Sequence, residues 1–156
     1  YNCFNTETWD FNGGKEWTQE AEDKLIELAN RPYIKRLSIL GGEPLVDENL
    51  DGVLHLVDRF RLSFPNKSIW LYSGYQWEEC QPFNEDGLLK PDKFAPNLQK
   101  ILQKRYEVIS RCNVMVDGRY IDSQRNPSKK WAGSDNQRVI NIQESLKQGK
   151  VVLYCD

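Results

Sequence analysis

The sequence predicts an α/β fold with a mainly parallel sheet, and three observations predict it. Short apolar runs alternate with longer stretches of helical spacing. Those runs close on glycine-containing turns, Gly41-Gly42, Ser73-Gly74 and Asp117-Gly118. The length, 156 residues, fits one domain that buries roughly 70% of its unfolded surface. Strands alternating with helices argue for parallel pairing through right-handed crossovers. No internal repeat or low-complexity segment breaks the pattern.

Taken in order, Tyr1 to Gly14 is rich in Asn, Thr and aromatics and reads as a loop. Thr18 is a helix N-cap, with Glu20 in the first turn and Ala21, Leu25, Leu28 and Ala29 on one face. Asn30-Arg31-Pro32 ends that helix. Ile34 to Leu40 holds four apolar residues, ends apolar and meets two glycines, so it reads as a buried strand breaking into a turn. A second helix is expected from about Glu48 to Leu62, with Leu50, Val53, Leu54, Val57 and Phe60 at helical spacing. Ser68 to Tyr72 is a second strand. Trp77 to Pro96 is irregular, punctuated by Pro82, Gly87, Pro91 and Pro96. A third helix fits Asn97 to about Arg111, and Asn113 to Val116 is a third strand. Gln124 to Asp135 is polar and looplike, Val139 to Leu146 is ambiguous, and Val151 to Tyr154 is expected to be a last strand.

Composition excludes several classes. Lys and Arg total 21 against 23 Asp and Glu, a net charge of -2. No basic run with interleaved aromatics asks for nucleic acid, and no apolar stretch approaches a membrane span. The four cysteines, Cys3, Cys80, Cys112 and Cys155, are too far apart for a small disulfide scaffold. The expected location is therefore cytoplasmic. The single histidine, His55, lies mid-helix and reads as a surface or partly packed residue. One histidine leaves no room for a Ser-His-Asp triad or a His-rich metal site. No glycine-rich phosphate loop of the dinucleotide or Walker type is present.

Gly41-Gly42-Glu43-Pro44 is the candidate site. Pro44 fixes its own φ and pushes Glu43 out of the helical region. Bare backbone followed by one carboxylate at the C-terminal end of a strand is where open α/β sheets bind ligands. Glu43 would suit an amino group; the plain alternative is a tight turn with a solvent-facing Glu. Cys3 is in a loop and could ligate a metal, but one cysteine cannot hold an iron–sulfur cluster. Cys80, Cys112 and Cys155 read as packed or incidental thiols. Two further loops, Val116 to Tyr120 and Trp131 to Arg138, are rich in hydrogen-bonding side chains.

These residues resemble the activating proteins of anaerobic (class III) ribonucleotide reductases, within the radical S-adenosylmethionine (SAM) superfamily. Cys3-Phe4-Asn5-Thr6-Glu7-Thr8-Trp9 through Gly14 is similar to the family segment that begins at the third cysteine of Cys-x3-Cys-x2-Cys. Gly41 to Leu45 matches the SAM-binding glycine motif. Tyr72 to Tyr75, Val116 to Tyr120, Trp131 to Val139 and Ser145 to Tyr154 resemble later signatures of the family. The resemblance covers nearly the whole chain. It implies one radical SAM domain over 1–156, a partial open (βα) barrel with its site at the C-terminal strand ends. It also implies that the N-terminal strand and the first part of the cluster loop are missing, with the second cluster cysteine immediately before Tyr1. The fragment alone is then expected to be inactive. The region 81–96 is longer than the family's usual connection.

The implied function is glycyl-radical activation. Cys3 would ligate a 4Fe-4S cluster, and SAM cleaved there would give a 5′-deoxyadenosyl radical that takes hydrogen from a glycine of the reductase. Asn2 and Phe4 would line the SAM site, Gly41 and Gly42 would offer backbone contacts, Glu43 would orient the amino group, and Ser73 would reach the ribose. Asn136 and Arg138 would contact SAM or the partner. A reducing donor such as flavodoxin is implied. The alternatives are a pyruvate formate-lyase activator, a deazaguanine synthase, or a degenerate radical SAM module that binds without catalysis.

Overall fold

The computed structural model describes residues 13–84, 87–90 and 97–154. Four helices and four strands alternate through most of the chain: α1 (Gln19–Ala29), β1 (Arg36–Ile39), α2 (Asp47–Ser63), β2 (Ser68–Tyr72), α3 (Leu98–Ser110), β3 (Val114–Asp117), β4 (Arg138–Asn141) and α4 (Ile142–Gln148). The sheet is open, in the order β1-β2-β3-β4. The first three strands are parallel and β4 is antiparallel to β3. The expected mainly parallel α/β sheet is therefore present, and it does not close.

The helices form where the sequence signals them. Thr18 caps α1 by accepting from the Ala21 N–H at 3.2 Å, and the αL residue Gly149 ends α4. The ambiguous stretch 139–146 divides in two. Its first residues complete β4, and Asn141 then caps α4 through its side chain. The expected last strand at 151–154 is reduced to a single bridge between Ile140 and Leu153, supported by backbone bonds from Asn141 and Tyr154. The Val152 N–H is taken by the Ser145 hydroxyl and not by a neighbouring strand.

Strand order follows chain order, so the crossovers α2 and α3 both fall on one face. Ile69 and Leu71 of β2, Met115 of β3 and Ile140 of β4 point to that face and join Leu50, Val57, Phe60, Val108 and Ile109 in one core. Alternation sends Arg36, Ser38, Trp70, Tyr72, Val114 and Val116 to the opposite face. Outside the core, Glu22 of α1 is 3% exposed. Its carboxylate takes Arg59 Nη1 and Trp17 Nε1 and meets His55 Nδ1 at 3.0 Å, fastening α1 to α2.

Candidate functional site

The site is built at the C-terminal ends of β1, β2 and β3. After β1 the chain turns through Gly41 at φ 80° and Gly42 at φ 57°. Both values lie in the left-handed region that suits glycine. A Cβ built on either glycine would meet nothing within 4 Å, so open space lies against the backbone there. Among the described residues neither glycine's N–H nor C=O has a hydrogen-bond partner. Pro44 and Leu45 are buried beneath them, so the turn presents free backbone on a fixed base.

Glu43 turns inward from this base. Its Oε1 accepts from the Leu45 N–H at 3.0 Å and from the Ser73 hydroxyl at 2.8 Å. Its Oε2 accepts from the Gly74 N–H at 2.8 Å. The carboxylate thus joins the turn after β1 to the turn after β2. All three donors are neutral, and no cation pairs with Glu43 among the described residues. Of the roughly four acceptor positions of a carboxylate, one on Oε2 stays open. The peptide oxygen of Glu43 is held by Asn49 Nδ2 at 2.9 Å. From α3, Arg105 donates to the Leu45 carbonyl at 2.8 Å while its guanidinium lies 3.8 Å from the Tyr75 ring centroid.

The end of β3 carries a second carboxylate. Asp117 is 1% exposed. It accepts the Trp77 N–H at 2.8 Å and binds Arg138 through both oxygens. Arg138 also reaches both oxygens of Glu78, at 3.1 and 2.8 Å. These partners, Asp117 first, hold the Arg138 guanidinium in its charged form. Gly118, at φ 91°, donates to the Tyr75 carbonyl. Asn136 and Gln137 return to the Arg119 and Gly118 carbonyls at 2.7 and 2.9 Å. The polar loop is thus knitted to the strand ends, and Asn136 and Arg138 act as its fasteners.

Of the expected site residues, Gly41, Gly42, Glu43 and Ser73 come together. Asn2, Cys3 and Phe4, and with them the cluster loop, lie outside the described residues. Ser73 is buried and its hydroxyl is engaged by Glu43. Cys80 and Cys112 are buried free thiols. Burial pushes both up to about 12, so they are poor thiolate ligands. Among the described residues no group of three His, Cys, Asp or Glu side chains could hold a metal. No described helix is long and apolar enough to cross a membrane. One residue was not singled out from the sequence: Arg119, just past Gly118. Its Cγ would lie 3.4 Å from a Cβ placed on Gly74, on the same side as Glu43 Oε2 at 3.3 Å. Its guanidinium pairs with no carboxylate among the described residues. Its position directly after the Asp-Gly turn of a strand end was the available signal.

Comparison with known proteins agrees with this geometry. The 4Fe-4S single cluster domain family matches residues 1–140. The anaerobic ribonucleoside-triphosphate reductase-activating protein of Escherichia coli (strain K12) is 34% identical over 142 residues, 90% of this chain and 79% of that protein. The protein of the same name from Vibrio cholerae is 34% identical over 139 residues, 88% of this chain and 76% of its own. That from Enterobacteria phage T4 is 30% identical over 138 residues, covering 88% and 72%. No solved structure matches the chain. A family match over residues 1–140, joined to these relatives over about nine-tenths of the chain, places it: it belongs to the family of anaerobic ribonucleoside-triphosphate reductase-activating proteins.

Proposed function

We propose that this chain is a radical SAM glycyl-radical activase whose partner is an anaerobic ribonucleotide reductase. The observation that carries the reading is the turn after β1: two left-handed glycines whose backbone groups are unpaired among the described residues, beside a carboxylate that no cation neutralises among them. Such a turn fits the amino-acid end of SAM. Its ammonium would meet peptide oxygens of Gly41 and Gly42 and the open position on Glu43 Oε2. Arg119, across Gly74, offers positive charge to an anionic group of the same ligand. Ser73 enters mainly as the hydroxyl that holds Glu43 in place, with the ribose contact a secondary role.

Cys3, with Asn2 and Phe4 beside it, would bring the cluster to this end of the sheet. The cluster and SAM, held by Cys3 and the Gly41-Gly42-Glu43 turn, would supply the radical chemistry that activates a glycine of the reductase. The chain's own part is positioning. The Glu43 clasp fixes β1 against β2, the Asp117–Arg138 pair fixes β3 against β4, and Arg105 holds the turn from behind. An open sheet with its crossovers on one face supports the partial-barrel reading, since an unclosed sheet leaves room for a loop of another protein at the strand ends. A flavodoxin-like donor would supply the electron. The names of the relatives favour the reductase over pyruvate formate-lyase or a deazaguanine pathway as the setting.

The test is anaerobic incubation of the full-length, cluster-loaded protein with SAM, a strong reductant and the purified reductase. The expected result is 5′-deoxyadenosine together with a glycyl radical signal on the reductase. Binding of the reductase without release of 5′-deoxyadenosine would instead identify a non-catalytic module and sink the proposal.

A further inference from the structure

The connection after β2 builds a cavity that the strand ends do not use. Trp77–Cys80 form a short 3-10 turn whose start is fixed twice. The Gln76 and Glu79 side chains cap it reciprocally, and Asp117 takes the Trp77 N–H at 2.8 Å. The chain then doubles back. The Lys90 N–H donates to the Pro82 carbonyl, Phe83 bridges Leu89, and the Asn84 N–H donates to the Leu88 carbonyl. Lys90 Nζ donates to the Glu78 carbonyl at 2.6 Å and ties the base of this return to the turn. Between the return, α3 and α4 lies a cavity of about 370 Å³, a size that holds a small organic molecule.

Its walls are apolar and mostly aromatic: Trp77 and Phe83 from the connection, Tyr106 from α3 and Leu146 from α4. Among the described residues no Lys, Arg, His, Asp or Glu lines it. One polar group on the wall is out of balance. Gln81 Nε2 is buried without a hydrogen-bond partner, the one such side-chain nitrogen or oxygen among the described residues. An unpaired buried amide is costly, and folded proteins rarely leave one without a reason. The Gln81 carbonyl oxygen and the Tyr106 hydroxyl likewise have no partner among the described residues. Ser145, also on the wall, is no partner for them: its hydroxyl donates to the Asn141 carbonyl and accepts the Val152 N–H.

The amide selects the chemistry of an occupant. A glutamine side chain offers a donor and an acceptor side by side, the pattern that pairs with the N6 and N7 edge of adenine; guanine shows two acceptors there. The terminal torsion of glutamine is soft, so the amide turns towards the cavity without moving the backbone. Aromatic walls suit the faces of a base. A lining without charge gives a phosphate no counter-ion. We propose that this cavity binds the adenine ring of an uncharged nucleoside, with Gln81 pairing to N6 and N7 and Trp77, Phe83 and Tyr106 packing against the ring.

The test is calorimetric titration of the full-length, cluster-loaded protein with adenosine, with and without saturating SAM. The parent should bind adenosine saturably in both conditions, and at least about tenfold more tightly than guanosine. Gln81→Leu should weaken adenosine binding by about ten- to a hundredfold and leave SAM affinity within about twofold. Phe83→Ala, at an exposed residue, should weaken adenosine binding about tenfold through lost stacking. Absence of saturable adenosine binding to the parent overturns the proposal and leaves the cavity to water. Binding that SAM abolishes also overturns it, by assigning adenosine to the strand ends. Equal affinity for guanosine, or affinity unchanged in Gln81→Leu, removes the pairing on which it stands. If Gln81→Leu fails to fold, Phe83→Ala decides, and unchanged affinity there refutes the site.

Discussion

Glu43 and Asp117 stand at neighbouring strand ends and do similar local work, yet they differ in the one respect that matters for a ligand. Each accepts hydrogen bonds that tie one strand end to its neighbour. Asp117 is buried and faces Arg138, so its charge is cancelled inside the protein. Glu43 is partly exposed and, among the described residues, is held by two amides and a hydroxyl. Neutral donors orient a carboxylate without neutralising it. The number of hydrogen bonds does not separate the two residues; the uncompensated charge does, and it points to Glu43 as the group that an ammonium would approach.

The largest expected effect breaks the Asp117 side of this contrast. Asp117→Asn keeps the shape and the acceptor for Trp77 N–H but leaves Arg138 with Glu78 alone. Asp117 is buried but the Arg138 side chain is 34% exposed and keeps Glu78, so losing the charge-assisted bonds should cost about 2 kcal/mol, which urea unfolding of the variant should show. A loss below about 1 kcal/mol would place the pair among ordinary surface contacts and dissolve the distinction.

Glu43→Gln tests the other side. It keeps an acceptor oxygen for the Leu45 and Ser73 donors, loses the one that takes the Gly74 N–H, and removes the charge. SAM affinity should fall by about one to two powers of ten, with the cluster still assembled, and Glu43→Asp should be milder. Equal SAM affinity would reduce Glu43 to a turn residue, and loss of the cluster would assign it to the fold instead.

The smallest effect concerns a third carboxylate. Burial pushes Glu22 up, but hydrogen bonds from His55, Arg59 and Trp17 outweigh it and hold its pKa below the usual range. A depressed pKa gives stability that is present above the unfolded value, near 4.5, and is lost as pH falls through the folded one. The melting temperature should therefore drop below about pH 4.5 more steeply in the parent than in Glu22→Gln. Parallel curves would show that α1 is fastened by packing and not by this charge.

Much of the fold was legible because it rests on local patterns. The apolar spacing of α2 and α3, the Thr18 cap and the Gly41-Gly42 turn each follow from residues close in sequence. The division of 139–146 was not legible, because the strand half is decided by its pairing with β3 and not by its own composition. The convergence of Gly41, Gly42, Glu43 and Ser73 could be read from strand-end motifs. That Ser73 holds Glu43 could not, since the bond spans thirty residues. Nor could the assignment of Arg138 to Asp117, which requires the antiparallel register. Trp131 in a left-handed conformation has no sequence signal at all; a glycine or asparagine would be expected there.

Asp117 and Arg138 are also direct partners in the β3–β4 register, with residues 118–137 looped out between them. Their ion pair closes the neck of that excursion. Doubling the length of a flexible loop costs only about 0.6 kcal/mol once its ends are held, so insertions at the exposed Pro127-Ser128 tip, away from Arg119 and Trp131, cost the sheet little. Length variation at that tip is then compatible with an unchanged Gly41-Gly42 turn at the other side of the sheet's strand ends.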